Sequence, residues 1–392
     1  MDLRVLLRRP ANRILKTTPD SKGESNAQIQ KGFSLVARPA HGERAAPAAG
    51  SSLHRACCGA VGSAGPNRHG AIGLAKEGLL RSILRLEHGI PSHDTFGRVF
   101  QVLDPTLFEQ VFRRFMAAFA QSNGLDLTGV IAFDGKALRA AYERGQAATP
   151  LHLVNVFATQ ARMALASRKA PGRNEAQGAV EAIGMLCLKN CVVTADALHC
   201  SRPFARTVLG RGGHYVLALK RNQSKLFAAV ERRFARGGPR RNAQKLEPST
   251  HDRREWRRAT VIRDKSLAMA ESFPGIAALA RITSRRRLRG KKADKPVTRY
   301  FLLSKYIPAR KLLGIVRSHW AIENQLHWIL DVVFQEDRSR VRKENAPENL
   351  AILRKLALNI IRANPDKLSM RQKIKRAGWQ ESYLLNLLAH MR

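Results

Sequence analysis

The chain has 392 residues, enough for one large core or two modest ones, and carries 69 Lys plus Arg against 30 Asp plus Glu, a net charge of +39. So large a cation attracts polyanions, nucleic acid first among them, and no apolar run approaches the roughly 18 residues that span a bilayer. Membrane-surface attachment would need one dominant basic amphipathic segment, whereas the basic residues here are spread along the chain, and the five cysteines, odd in number and without disulfide or zinc spacing, read as reduced thiols of an intracellular protein.

Residues 1–74 are rich in Ala, Arg, Gly, Ser and Pro without a sustained apolar period, and read as a flexible basic arm. The opening MDLRVLLRRPANRIL lacks the long apolar core of a secretory signal. Order is expected from about Leu79, where Leu79, Leu80, Ile83 and Leu84 recur at helical spacing. Ser92 then precedes a helix with Phe96, Val99, Phe100 and Leu103, and Asp104-Pro105 punctuates. A further helix carries Leu107, Phe108, Val111, Phe112, Phe115 and Phe119, so 75–125 reads as a small helical module.

The centre alternates strands and helices. Val130 to Phe133 read as a short buried strand that ends at Asp134, with Gly135 turning the backbone away. Strands follow at 151–159 and 163–170, joined by Gln160-Ala161-Arg162, which suits an antiparallel pair. Next come a helix at 174–188, a strand at 191–197 bearing Asp196, a helix at 201–209, a strand at 214–220 and a basic helix at 224–236. This order predicts an α/β fold, a mixed sheet flanked by helices. From 237 to 300 the chain is very basic and irregular, with two possible strands, and reads as an insertion whose charge suits phosphate contact. One helix is expected over 309–334, with Leu313, Val316, Trp320, Leu330 and Val333 on a stripe that also holds Glu323, so that its carboxylate points inward. A helix capped by Asn345 and Glu348 and stopped at Asn364-Pro365 follows, then a helical tail over 366–392.

Asp134 alone would more often be a helix cap than a ligand. A second carboxylate at a strand end, Asp196, and an inward acid on a late helix, Glu323, reverse that weighting; Asp331 and Glu336 are rival third acids. Hard divalent cations take oxygen ligands, and Mg²⁺ uses few carboxylates plus water and phosphate. Two such ions about 3.5–4 Å apart hold the attacking and leaving oxygens of an in-line phosphoryl transfer. Three acids in a strongly cationic chain therefore suit cutting or joining nucleic acid. Lys136, Arg139, Lys220 and Arg317 lie near them along the chain, as phosphate contacts or as plain surface charges, and His319 and His327 flank Glu323 at four-residue spacing.

PSHDTFGRVF, IAFDGKALR, LHLVNVFAT, VVTADALHC, YVLALKRNQ and VRSHWAIENQLHWILDVVFQEDRSRVRKENAPENLAILRKLALNII recur in the order found in one family. Over roughly 75–365 the chain resembles the H-repeat-associated insertion-sequence transposases, which belong to the DDE superfamily with an RNase H-like core. The resemblance implies a catalytic domain over 126–365 with the 237–300 insertion before its last catalytic helix. It implies Asp134, Asp196 and Glu323 as the triad binding two Mg²⁺ or Mn²⁺ ions, and DNA strand cleavage and strand transfer as the activity. Element ends and target DNA are the implied partners of a homo-oligomer assembled on DNA in the bacterial cytoplasm, at the nucleoid. Where broader relatives place a Tyr, an Arg and a Lys around the Glu, this chain has Val316, His319 and Leu330, leaving Arg317 or the nearby histidines to serve. A catalytically inactive DNA-binding remnant and a metal-dependent nuclease without strand transfer are the alternatives.

Overall fold

The computed structural model describes residues 72–83, 86–142, 150–236, 241–250, 253–267, 272–290 and 292–389, so nearly all of the expected basic arm lies outside the described residues. Two compact units form, one from residues up to 125 with 138–150 and 329–392, the other from 126–137 and 151–328.

In the first unit, α1 (Glu77–Ile83), α2 (His93–Val102) and α3 (Pro105–Ser122) follow the expected order. Ser92 caps α2 by accepting from Thr95 N–H, and Asp104 caps α3 with Pro105 at its first turn, where a missing N–H costs nothing. Of the stripe expected on α3, Phe112 and Phe119 are buried with Met116, while Leu107 and Val111 are exposed.

The later elements of this unit are α8 (Trp328–Val332), α9 (Ala346–Ala363), α10 (Met370–Trp379) and α11 (Glu381–Ala389). Leu350, Leu353, Ala357, Ile360 and Ile361 form a buried stripe on α9, and Leu350 and Leu353 pack with Phe100 of α2. Asn349 donates to the carbonyls of Phe100 (2.9 Å) and Leu103 (2.8 Å), closing the end of α2. The expected cap at Asn345 does not form, because Asn345 is itself helical (φ −81°, ψ −5°) and its side chain caps nothing.

Among the described residues the second unit's sheet has nine strands: β1 (Gly129–Tyr142), β2 (Pro150–Ala158), β3 (Met163–Lys169), β4 (Cys191–Ala195), β5 (His214–Leu219), β6 (Arg241–Thr250), β7 (Arg253–Arg263), β8 (Ala278–Leu288) and β9 (Val297–Leu303). Their spatial order is β3-β2-β1-β4-β5-β9-β8-β7-β6. β1, β4 and β5 are parallel, β2 and β3 form the expected antiparallel pair, and β9 joins β5 antiparallel. Two expectations are corrected. The stretch 237–300 is not irregular: its two possible strands fall on β7 and β8, and together with β6 these extend the sheet as an antiparallel ribbon leading into β9. Nor does the first strand stop at Asp134; β1 continues to Tyr142.

Alternation along the strands sorts side chains to two cores. Ile131, Phe133, Val193, Ala195, Tyr215 and Leu217 enter one, against α4 (Glu175–Gly184), α5 (Arg202–Gly210) and α6 (Ser224–Ala235). Val130, Val192 and Val216 enter the other, against Leu312, Leu313 and Ile315 of α7 (Ala309–His319). With each fully buried large side chain worth about 1.5–3 kcal/mol over exposure, the two cores fix which face each strand residue takes. Cys191 and Cys200 are buried, whereas Cys187 is exposed rather than in the core.

Candidate active site

Strand register brings Asp134 and Asp196 side by side. β1 and β4 run parallel with Phe133 opposite Ala195 as the last pair, so the next residue of each is an acid at the same level. Because Phe133 faces the α4–α6 core, Asp134 projects to the α7 side. Asp196 follows Ala195 in extended backbone (φ −71°, ψ 179°) and takes the same side. Thr194, two residues earlier, shows that direction: its Oγ1 lies 3.1 Å from Nδ1 of His319, the last residue of α7.

The helix expected over 309–334 is not continuous. After α7 ends, residues Ile322–His327 form a π turn, and α8 begins at Trp328. A π turn inside a helix is rare and often marks a functional position. Across it Ile322, Leu326 and Leu330, four residues apart, are all buried. Glu323 is exposed rather than inward, a correction to the stripe reading, in which Trp320 was also taken as buried; Trp320 is 43 % exposed.

Electrostatics tie the three acids together. The Asp134 carboxyl is pushed from an ordinary 3.8 up to about 7, first by burial, then by the negative charges of Glu323 and Asp196, with Glu175 adding to the effect and the Gly135 N–H opposing it. Asp134 Oδ1 accepts from that N–H at 3.0 Å, and Nδ1 of His327 lies 3.6 Å from Oδ2. Asp196 Oδ1 accepts from the N–H groups of Leu198 (3.0 Å) and His199 (3.4 Å), so it caps a short turn as well as standing beside Asp134. The rival acids Asp331 and Glu336 belong to the other unit, where Glu336 is buried and its charge acts on Arg354.

Glu175, His152, Asn155 and His199 were not legible as site residues. Glu175 packs on Gly135, where a Cβ would run into its carboxylate, and Nδ1 of His152 lies 2.7 Å from it. Asn155, buried on β2, reaches His327. His199 is buried with neither ring nitrogen hydrogen-bonded among the described residues, stacks on Phe204, and has its pKa lowered by burial. Burial likewise pushes His319 down to about 4, so it stays neutral near pH 7. Of the expected phosphate contacts, Lys220 and Arg317 are exposed, Arg139 is exposed beside Asp337 in the first unit, and Lys136 is buried.

Whether these residues fit a divalent ion follows from their chemistry. Three hard oxygen donors whose mutual repulsion raises Asp134 are what a cation relieves. Among the described residues, no group of three His, Cys, Asp or Glu side chains is placed to hold a metal ion. Mg²⁺ does not require such a group, since it is usually bound through one or two carboxylates, water and substrate phosphate.

Residues 126–360 match the family model described as the transposase DDE domain. The chain belongs to this family. The match embraces the whole sheet and the three acids, and residues 55–116 match the DDE_Tnp_1-associated family that goes with it. This DDE transposase is similar to the Escherichia coli (strain K12) "Putative protein YbfL", at 31% identity over 77% of this chain and 82% of that one. It is equally similar to the "H repeat-associated putative transposase YhhI" of the same organism, at 31% identity over 77% and 82%. A solved piggyBac transposase synaptic complex with hairpin DNA is similar at 12% identity and a TM-score of 0.41, covering 91% of this chain and 77% of that one, too slight a likeness to carry the fold.

Proposed function

We propose that this DNA transposase cuts and rejoins DNA at one centre made by Asp134, Asp196 and Glu323, which hold two Mg²⁺ or Mn²⁺ ions. The observation that carries this reading is the rise of the Asp134 carboxyl to about 7, caused first by its burial and then by the charges of Glu323 and Asp196 beside it. The strand order β3-β2-β1-β4-β5 supports an RNase H-like core, with β6, β7 and β8 as the basic insertion between the second and third acids. Ions bound there would supply Lewis-acid polarisation of the phosphodiester and activation of an attacking oxygen. The chain's own part is positional. Gly135 N–H fixes one oxygen of Asp134, the Leu198 and His199 N–H groups fix one of Asp196, and the π turn presents Glu323. The excess of Lys and Arg holds the DNA backbone, and the site acts on element ends and target as a homo-oligomer assembled on DNA in the cytoplasm.

One observation favours an inert remnant instead. The position where broader relatives have Lys is Leu330, fully buried and unable to touch phosphate. Labelled duplex ending in the element's terminal sequence, incubated with the full chain, a target plasmid and Mg²⁺, separates the readings. Cut and joined products are expected; cut products alone indicate a nuclease, and bound but uncut DNA indicates a remnant, either result overturning the proposal.

A further inference from the structure

Asn155 is an anomaly in the sheet. It sits in β2 between Val154 and Val156, both buried in the apolar core, and is itself fully buried. A buried amide is tolerated only when its groups are hydrogen-bonded. Register supplies one partner: Asn155 lies opposite Ser167 of β3, also buried, whose hydroxyl donates to Asn155 Oδ1 at 3.0 Å. With its oxygen so engaged, the amide turns its NH₂ outward, and Nδ2 lies 3.1 Å from Nε2 of His327. An NH₂ group can only donate, so Nε2 accepts, and an accepting Nε2 puts the ring proton on Nδ1. That nitrogen lies 3.6 Å from Oδ2 of Asp134. The distance is too long for a hydrogen bond but closes to one with a small rotation of either side chain.

We propose that Ser167, Asn155 and His327 form a string that fixes the His327 tautomer, so that its Nδ1–H faces Asp134 and sets the aim of that carboxylate. His327 is thereby a positioning residue and not a metal ligand, because the nitrogen nearest the acids carries a proton rather than a lone pair. Oδ1 of Asp134 already accepts from the Gly135 N–H, and closure of the His327 contact would hold Oδ2 as well. Outer groups of this kind typically change metal affinity or activity about 10–100-fold. The significance for catalysis rests on the proposed triad; the tautomer does not.

Two measurements on the full chain keep those apart. Long-range ¹⁵N–¹H spectra of histidine-labelled protein, with His327 assigned by its loss in His327→Ala, should show the proton on Nδ1. Asn155→Asp, which turns an acceptor towards Nε2, should move it to Nε2. In the cleavage assay, His327→Ala should raise the Mn²⁺ concentration needed for half-maximal rate about 10-fold or more while DNA binding is unchanged. His327→Asn, whose amide nitrogen occupies the place of Nδ1, should recover most of this, and His327→Gln should not. An Nε2–H ring in the wild type overturns the string. Equal metal dependence in His327→Ala and wild type overturns the positioning role. If the wild type does not cut DNA at all, the triad reading fails while the spectra still decide the string.

Discussion

Asp134→Asn should make the folded chain more stable at pH 8. In the folded state the carboxyl is held near 7 rather than 3.8, so below about pH 4 it is protonated whether the chain is folded or not, and it adds nothing to stability. As pH rises from about 4 to 7 the unfolded chain releases the proton while the folded chain keeps it, and stability falls; above 7 the cost is constant. At about 1.4 kcal/mol for each tenfold change in proton affinity, the rise from 3.8 to about 7 is on the order of 4 kcal/mol, a ceiling that local relaxation lowers. Asparagine keeps the shape and the Gly135 hydrogen bond but cannot ionise. Urea unfolding at pH 8 and pH 4.5, without divalent ions, should therefore give a gain of roughly 2–4 kcal/mol at pH 8 that shrinks towards zero at the lower pH. A gain equal at both pH values, or a loss at pH 8, would refute the crowding of Asp134 by its neighbours.

His319 works in the opposite direction. Burial holds it near 4 instead of 6.5, so its contribution is complete above 6.5 and is lost as pH falls towards 4, on the order of 3 kcal/mol; His319→Gln should flatten that loss in the same unfolding experiment. Asn349→Leu strands two carbonyls at the end of α2 in the first unit, and should cost roughly 2–5 kcal/mol in denaturant midpoints while leaving DNA cleavage by the surviving folded fraction unchanged. DNA affinity measured by anisotropy should fall about 10³–10⁵-fold between roughly 50 and 200 mM salt, and Lys220→Ala, at an exposed cation, should reduce the slope by about one.

The apolar runs of β1, β4 and β5, and the acids that follow the first two of them, were legible because buried parallel strands are nearly continuous in apolar residues, and a carboxylate after such a run stands out. Ser92, Asp104 and Asn364 marked helix ends for the same local reason. What stayed hidden depended on distant partners. Strand β6 has little local apolar signal, the Arg-rich β7 and β8 showed only as two possible strands, and all three join one sheet by pairing outward from β9. The π turn at Glu323 left no trace in a stripe counted at 3.6 residues per turn, so Trp320 and Glu323 were placed inward when both are exposed. Glu175 and Asn155 gained meaning only once Gly135 and His327 stood beside them, 40 and 172 positions away along the chain.

The proposed function rests on Asp134, Asp196 and Glu323 sharing a divalent ion site. Electron paramagnetic resonance of Mn²⁺ titrated onto the chain bound to element-end DNA measures this directly. Bound Mn²⁺ in the wild type, weakened at least 10-fold in each of Asp134→Asn, Asp196→Asn and Glu323→Gln with DNA binding intact, is the predicted result. Wild-type Mn²⁺ affinity in any one of the three would contradict it.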